Sequence, residues 1–174
     1  AGEDLYDPDK VAALFETQEP WWEPGTALGY HAISVGNLMG EIIKRISGKT
    51  VGNFFRDEIA EPLDIDFHIG LEDTHHSRVA EIHQAVEANP EDLFELEEGS
   101  VMQKVMTNGI ITAPDANTAE WRRAEIPAAG GHGNGRSIAE SMALIANGGT
   151  YKGKRIFSED LIKHALDEQI RGND

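Results

Sequence analysis

The apolar positions of the chain fall into a few helical stripes separated by turn residues. Val35, Leu38, Met39, Ile42, Ile43 and Ile46 recur at the spacing of one helix face, and Gly48 follows as a C-cap. This is the clearest helix in the sequence. Asp7-Pro8 opens an earlier one, with Asp as N-cap and Pro at the first helical position ahead of Val11, Ala12, Leu14 and Phe15, and it should stop before Pro20. Thr50 can cap a further helix carrying Phe54, Phe55 and Ile59, which Pro62 is expected to end. Residues 66–70 alternate like a short strand.

Beyond this point the pattern weakens. Residues 72–100 are acidic and His-containing and read as a surface excursion, with short helical turns expected around residues 78–86 and 91–96. Helices are predicted from Val101 to Thr107 and over residues 118–124. Gly130-Gly131-His132-Gly133-Asn134-Gly135 is a tight glycine loop, and Ser137-Ile138-Ala139-Glu140 reads as a capping box for a helix that runs to Asn147 and closes at Gly148-Gly149. Residues 151–157 then form a hairpin-like connection, and Ser158-Glu159-Asp160 starts a last helix through Leu161, Ile162 and Ala165. No internal repeat or low-complexity linker divides residues 1–174, which are treated as one mainly α unit with a few short strands.

Composition narrows the partners. The 174 residues carry 15 Lys and Arg against 31 Asp and Glu, a formal net charge of −16, which opposes nucleic acid and anionic membrane surfaces. Without cysteine there are no disulfides, thiolate nucleophiles or Cys-based zinc sites. The apolar runs are far shorter than the roughly 20 residues of a membrane span, and Ala1-Gly2-Glu3-Asp4 lacks the features of a signal peptide. The expectation is a soluble chain, with the cytoplasm slightly favoured.

Several candidate motifs have plainer readings. Gly48-Lys49-Thr50 resembles the end of a phosphate-binding loop, but position 43 is Ile43 where that motif needs glycine, and the triplet follows a helix rather than a strand. His75, His76 and His83 lie in an acidic stretch without a diagnostic ligand spacing, so no metal and no cofactor is expected. Glu91, Asp92, Glu95, Glu97 and Glu98 read as a solvated charge run, since paired catalytic carboxylates need apolar surroundings to separate their pKa values.

Tyr30 differs in kind. Trp21-Trp22-Glu23-Pro24-Gly25-Thr26 forms a rigid turn that delivers a phenol, in Tyr30-His31-Ala32-Ile33-Ser34-Val35-Gly36, to the N-terminal edge of the strongest helix. A tyrosine beside two tryptophans is ordinarily packing. The frame Trp-Glu-Pro-Gly-Thr, spacer, Tyr-x-x-x-Ser-x-Gly argues for more, because it resembles the second active-site region of the penicillin-recognising serine hydrolases: class C β-lactamases, D-alanyl-D-alanine carboxypeptidases and the esterases that share their fold. Two further passages are similar to that family in order and spacing. One is Ile46-Ser47-Gly48-Lys49-Thr50 with Ile59-Ala60-Glu61-Pro62-Leu63, and the other runs from Gly130 to Ala146-Asn147-Gly148-Gly149.

The resemblance spans roughly residues 5–165 and implies the helical part of the α/β serine β-lactamase-like, penicillin-binding-protein transpeptidase-like fold. It implies acyl-enzyme chemistry on a small-molecule ester or amide. A Ser-x-x-Lys serine attacks a carbonyl in that family, and a serine hydroxyl is a weak nucleophile until a base takes its proton. Tyr30 matches the tyrosine that shuttles this proton, a task for which a phenol of pKa near 10 must be lowered by neighbouring cations. His132, with His31, is carried over as a substrate-pocket candidate. Position 32 is Ala32 where the β-lactamases have asparagine, which favours ester hydrolysis over β-lactam turnover.

Two of the family's motifs are missing: no serine is followed by lysine three residues on, and no Lys-Thr-Gly or His-x-Gly follows Phe157. The expectation is an internal fragment of a longer hydrolase, lacking the nucleophile and most of the central sheet and inactive by itself. Apolar surface left uncovered should then drive self-association. The alternative is a free-standing helical binding or scaffold module that uses Trp21 and Trp22 as anchors.

Overall fold

The computed structural model describes residues 3–83, 97–107 and 111–172, with side chains not described at residues 3, 106 and 107. A 3-10 turn, Glu3–Tyr6, leads into α1 (Pro8–Thr17), whose N-cap Asp7 accepts the Lys10 amide at 3.0 Å with Pro8 in the first turn. The predicted central helix is α2 (Ser34–Ser47). It ends at Gly48, whose left-handed φ of 73° lets its N–H return to the Lys44 carbonyl, so the glycine serves as the C-cap.

Thr50 caps α3 (Val51–Phe55) as expected, but the helix does not stop at Pro62. A π-helical turn, Arg56–Ala60, follows α3, and α4 (Glu61–Leu63) carries the chain through the proline to Asp64. The Glu61 N–H reaches back five residues to the Arg56 carbonyl. Pro62 thus sits where the hydrogen-bond ladder changes register, in the first turn of a new segment that needs no N–H from it.

The strand expected over residues 66–70 shrinks to β1 (His68–Ile69). Of the helical turn expected around residues 78–86, only residues 78–83 are described; a 3-10 helix over Asp73–Arg78, held by an ion pair of Asp73 with Arg123, ends where it was to begin. Residues 79–83 are not helical, and residues 84–96, where the second turn and Glu91, Asp92 and Glu95 fall, lie outside the described residues. Glu97 and Glu98 are exposed.

Next come α5 (Val101–Thr107), α6 (Ala113–Ala116) and α7 (Ala119–Arg123). The sequence reading missed α6, although Thr112 and Asp115 form a capping box and Pro114 stands in its first turn. The glycine loop contributes β2 (Gly131–His132), antiparallel to β1. It is followed by α8 (Gly135–Ala146), the hairpin of β3 (Thr150–Tyr151) with β4 (Lys154–Arg155), and α9 (Glu159–Leu166) capped by Ser158.

The capping box of α8 is displaced by three residues from its expected place. Asn134, not Ser137, is the N-cap, accepting the amides of Arg136 and Ser137 at 3.0 and 3.1 Å, while Ser137 Oγ accepts the Asn134 N–H at 2.8 Å. An asparagine carboxamide oxygen can hold two orphan amides at once, and this fixes the start of the helix. Glu140 is thereby free to face Lys152 at 3.3 Å.

Two apolar clusters form the interior. Leu63, Ile65 and Leu144 are joined by Ile59, Phe67, Tyr151, Ile156 and Phe157, whereas Trp121, Ala124 and Ile126 are joined by Leu5, Tyr6, Ile33, Ile111 and Ala116. The apolar stripe of α2 is not enclosed: Val35, Leu38, Met39, Ile42 and Ile46 are all exposed, Ile46 by 82%. Among the described residues, no helix is long and apolar enough to cross a membrane.

Candidate functional site

The turn that presents Tyr30 forms as its sequence dictates. Pro24 fixes one corner and Gly25 takes φ 84° at the next, while Thr26 donates through both its amide (3.2 Å) and its hydroxyl (2.6 Å) to the Glu23 carbonyl. Trp22 folds back over Gly29, where even a methyl group would strike the indole. Beyond this packed corner Tyr30 is 75% exposed, four residues ahead of the first residue of α2. Next to it, the His31 Nδ1–H donates to the Gly29 carbonyl at 2.9 Å. That tautomer leaves Nε2 of the neutral ring as an acceptor.

The helix behind Tyr30 is seated by glycine. A Cβ on Gly36 would run into the backbone of Ala128, and Gly40 lies against Pro127 and Val51. Residues 127–128 belong to a tight turn in which the Gly130 and Ala129 amides both donate to the Ile126 carbonyl, at 2.6 and 3.0 Å. Ile126 is fully buried. The turn feeds directly into β2, so the helix that follows Tyr30 and the strand that carries His132 rest on one small scaffold.

Glu125, a residue the sequence reading did not single out, locks that scaffold. Its carboxylate accepts the Thr50 hydroxyl at 2.7 Å and the Gly52 amide at 2.8 Å, capping α3 from far along the chain. Gly52 leaves no room for a side chain between the Ile69 carbonyl and this carboxylate. No local motif announces such a cap. Only the requirement that the first amides of α3 find partners could have prompted a search for it.

His132 is half-buried and stands opposite His68 across the β1–β2 pair. Burial is the main force holding its imidazole below the ordinary histidine value; the Gly130 backbone opposes this, and the charges of Arg122, His68 and His76 add to it. Nδ1 is sealed from solvent and completes no hydrogen bond of good geometry. Gly131 and Gly133 on either side press against the Phe67 ring, which meets Phe55 edge to face at 5.7 Å.

An open groove of about 1100 Å³ runs between α3, β1 and the start of α8, with Arg56, Asp66, His68, Arg123, Glu125 and Asn134 among its walls. Tyr30, His31 and His132 do not line it. The structure therefore brings Tyr30 and His31 together by chain proximity and connects them to His132 through the 126–130 turn rather than through a shared cavity. His75 stacks at 5.1 Å on His68, and His76 Nε2 meets the Leu71 carbonyl at 3.3 Å. Among the described residues, no group of three or more His, Asp or Glu side chains is arranged to hold a metal ion.

The Beta-lactamase family model matches residues 1–174. Esterase/beta-lactamase LipL of Mycobacterium tuberculosis (strain ATCC 25618 / H37Rv) is 35% identical over 151 residues, which are 80% of this chain and 35% of that protein. A crystal structure of a penicillin-binding protein homolog from Caulobacter crescentus superposes with a TM-score of 0.77 at 36% identity, over 98% of this chain and 44% of the other. A family VIII carboxylesterase gives 0.79 at 38% identity, over 92% and 42%. EstA from Arthrobacter nitroguajacolicus Rue61a gives 0.80 at 25% identity, over 96% and 45%. The chain thus spans about a third to under half of the length of the relatives it matches. It belongs to the beta-lactamase family of penicillin-recognising serine hydrolases, and its helices and short strands are part of that fold.

Proposed function

We propose that residues 1–174 are the helical part of an esterase-like serine hydrolase, in which Tyr30 relays the proton between an attacking serine and the leaving group. The observation that carries this reading is Tyr30 itself: a phenol three-quarters exposed beyond a rigid Pro-Gly corner, ahead of a helix seated on the Ile126 turn. A proton-transfer group must reach reacting atoms supplied from elsewhere, and the exposed Tyr30 phenol is placed where it can do so. Ala32 supports an ester over a β-lactam amide, since its methyl group offers no hydrogen bond to an amide substrate. The similarity to a carboxylesterase points the same way. His31, with Nε2 open as an acceptor, and His132 are the residues of this chain proposed to contact substrate.

No Ser-x-x-Lys is present, so the nucleophile has to come from other residues and the isolated chain is proposed to be inactive. Purified residues 1–174 should turn over neither p-nitrophenyl acetate nor a chromogenic cephalosporin. In a form extended to include Ser-x-x-Lys, Tyr30→Phe should lower kcat by a factor of about 10² to 10⁴, the usual worth of a positioned acid-base group. Activity of the isolated chain that Tyr30→Phe abolishes would overturn the division of labour; an extended enzyme indifferent to Tyr30→Phe would overturn the role.

The exposed indole of Trp21, 49% accessible, favours a second reading as a non-catalytic binding or scaffold module. The reading frame separates the two. Extension upstream to Ser-x-x-Lys and downstream to a Lys- or His-x-Gly supports the enzyme, and start and stop codons bracketing these residues support the module.

A further inference from the structure

The glycine-rich segment of His132 is tied to the body of the chain by two residue pairs, His68 opposite His132 and Ile69 opposite Gly131. Directly opposite residues of an antiparallel pair send their side chains to the same face with Cβ atoms about 4.5–5.5 Å apart, and like charges there are destabilising. Two imidazoles are therefore cross-strand neighbours in the ladder that joins this segment to β1.

The groups packed around them leave a proton on His132 without a counter-charge. On the β1 side, Asp66 is engaged by Arg78 and by His68 Nε2, the latter at 3.1 Å. The 3-10 helix presents His75, stacked on His68, together with His76, Arg78 and Asp73. Arg123 of α7 holds the Asp73 carboxylate through two bonds of 2.6 and 2.9 Å, and His76 lies 3.6 Å from it. Arg122, also of α7, accepts the Leu71 amide at its carbonyl and has a buried Nε without a hydrogen-bond partner. Toward α8, the neighbours of Gly133 are the Phe67 ring and the Ser137 hydroxyl, neither of them charged.

We propose that the β1–β2 pair is an acid-released latch: a proton on His132, opposite His68, parts the two strands and frees residues 131–133, between the Gly130 turn and the Asn134 cap. The latch stands independently of the hydrolase reading. Its sign follows from burial. Neutral His132 contributes stability that is complete above the ordinary histidine value of about 6.5 and is lost as pH falls through the lowered value of the buried ring. Asp66 and Asp73 are held below the usual carboxylate range by Arg78 and Arg123 and stay ionised across that window, so they do not mask it.

The test is a pH titration of the 15N-labelled chain by NMR, from about pH 7.5 to about pH 5, the range in which histidine changes charge. The Ile69 and Gly131 amides should shift or broaden with the same midpoint as the His132 ring, below the ordinary value. His132→Gln should abolish the component of the Ile69 response that has the His132 midpoint. His68→Gln, which removes the facing imidazole, should move the His132 midpoint upward. Strand amides that stay flat while His132 titrates, or that follow another midpoint, overturn the latch. If His132→Gln does not fold, an unmoved His132 midpoint in His68→Gln overturns it instead.

Discussion

Asn37 is the residue most at odds with its surroundings. It is 7% exposed on α2, and neither its carboxamide oxygen nor its nitrogen has a hydrogen-bond partner. It follows Ile33 by one helical turn, on the face where Ile33 packs against Trp121 and Ile126. Leaving a buried polar group unpaired costs about 1–3 kcal/mol, and leucine keeps the branched four-atom skeleton of asparagine without its polar atoms while favouring helix. Asn37→Leu should therefore raise the unfolding free energy by about 1 kcal/mol or more, seen as a higher urea midpoint with an unchanged slope. A lower midpoint would show that the amide has found a partner in solution. The neighbouring Gly36 shows what a stripe pattern conveys and what it hides. Its helix was legible from Val35, Leu38 and Ile42, but nothing in the spacing said that Gly36 must be bare to admit the Ala128 backbone.

At the scale of elements, local rules succeeded where partners lie within a few residues and failed where they do not. Asp7, Thr50, Thr118 and Ser158 each accept an amide three residues on, and each marks its helix start. Asn134 took the place assigned to Ser137 because two residues capable of capping compete within one turn, and the structure uses them as a reciprocal pair. The pairing that sets the extent of β1 and the cap from Glu125 depend on distant segments, so no window of sequence contains them. Tyr30 was legible as a presented phenol; the turn that seats its helix and the His68 partner of His132 were not. Glu125 allows a direct test. Bonds to a carboxylate contribute about 1.5–3 kcal/mol, so Glu125→Ala should destabilise the chain by about 2–3 kcal/mol, with Glu125→Gln recovering part of the loss through its carbonyl oxygen. Equal urea midpoints for Glu125→Ala and the unaltered chain would show that the Thr50–Gly52 cap is satisfied by water instead.

For the whole molecule, the interior is divided between two clusters, and the best apolar stripe in the sequence belongs to neither. Val35, Leu38, Met39, Ile42 and Ile46 lie at helical spacing with accessibilities from 39% to 82%. A stripe of this kind on an amphipathic helix ordinarily faces a core. The solved relatives match nearly all of this chain with less than half of their own length, and in this chain the face is exposed. Exposed contiguous apolar surface drives association, whereas a net charge of −16 opposes it by repulsion that salt screens. Purified residues 1–174 should accordingly be larger than a monomer in light scattering at micromolar concentration, and their mass should increase between about 0.05 and 0.5 M salt as the Debye length shortens. Ile42→Glu, which places a charge in the middle of the stripe on a side chain 49% exposed, should return the mass toward that of a monomer without loss of helix by circular dichroism. A wild-type chain that is monomeric at both salt concentrations would mean that the stripe is covered by the chain itself, and Ile42→Glu would then reduce stability rather than mass.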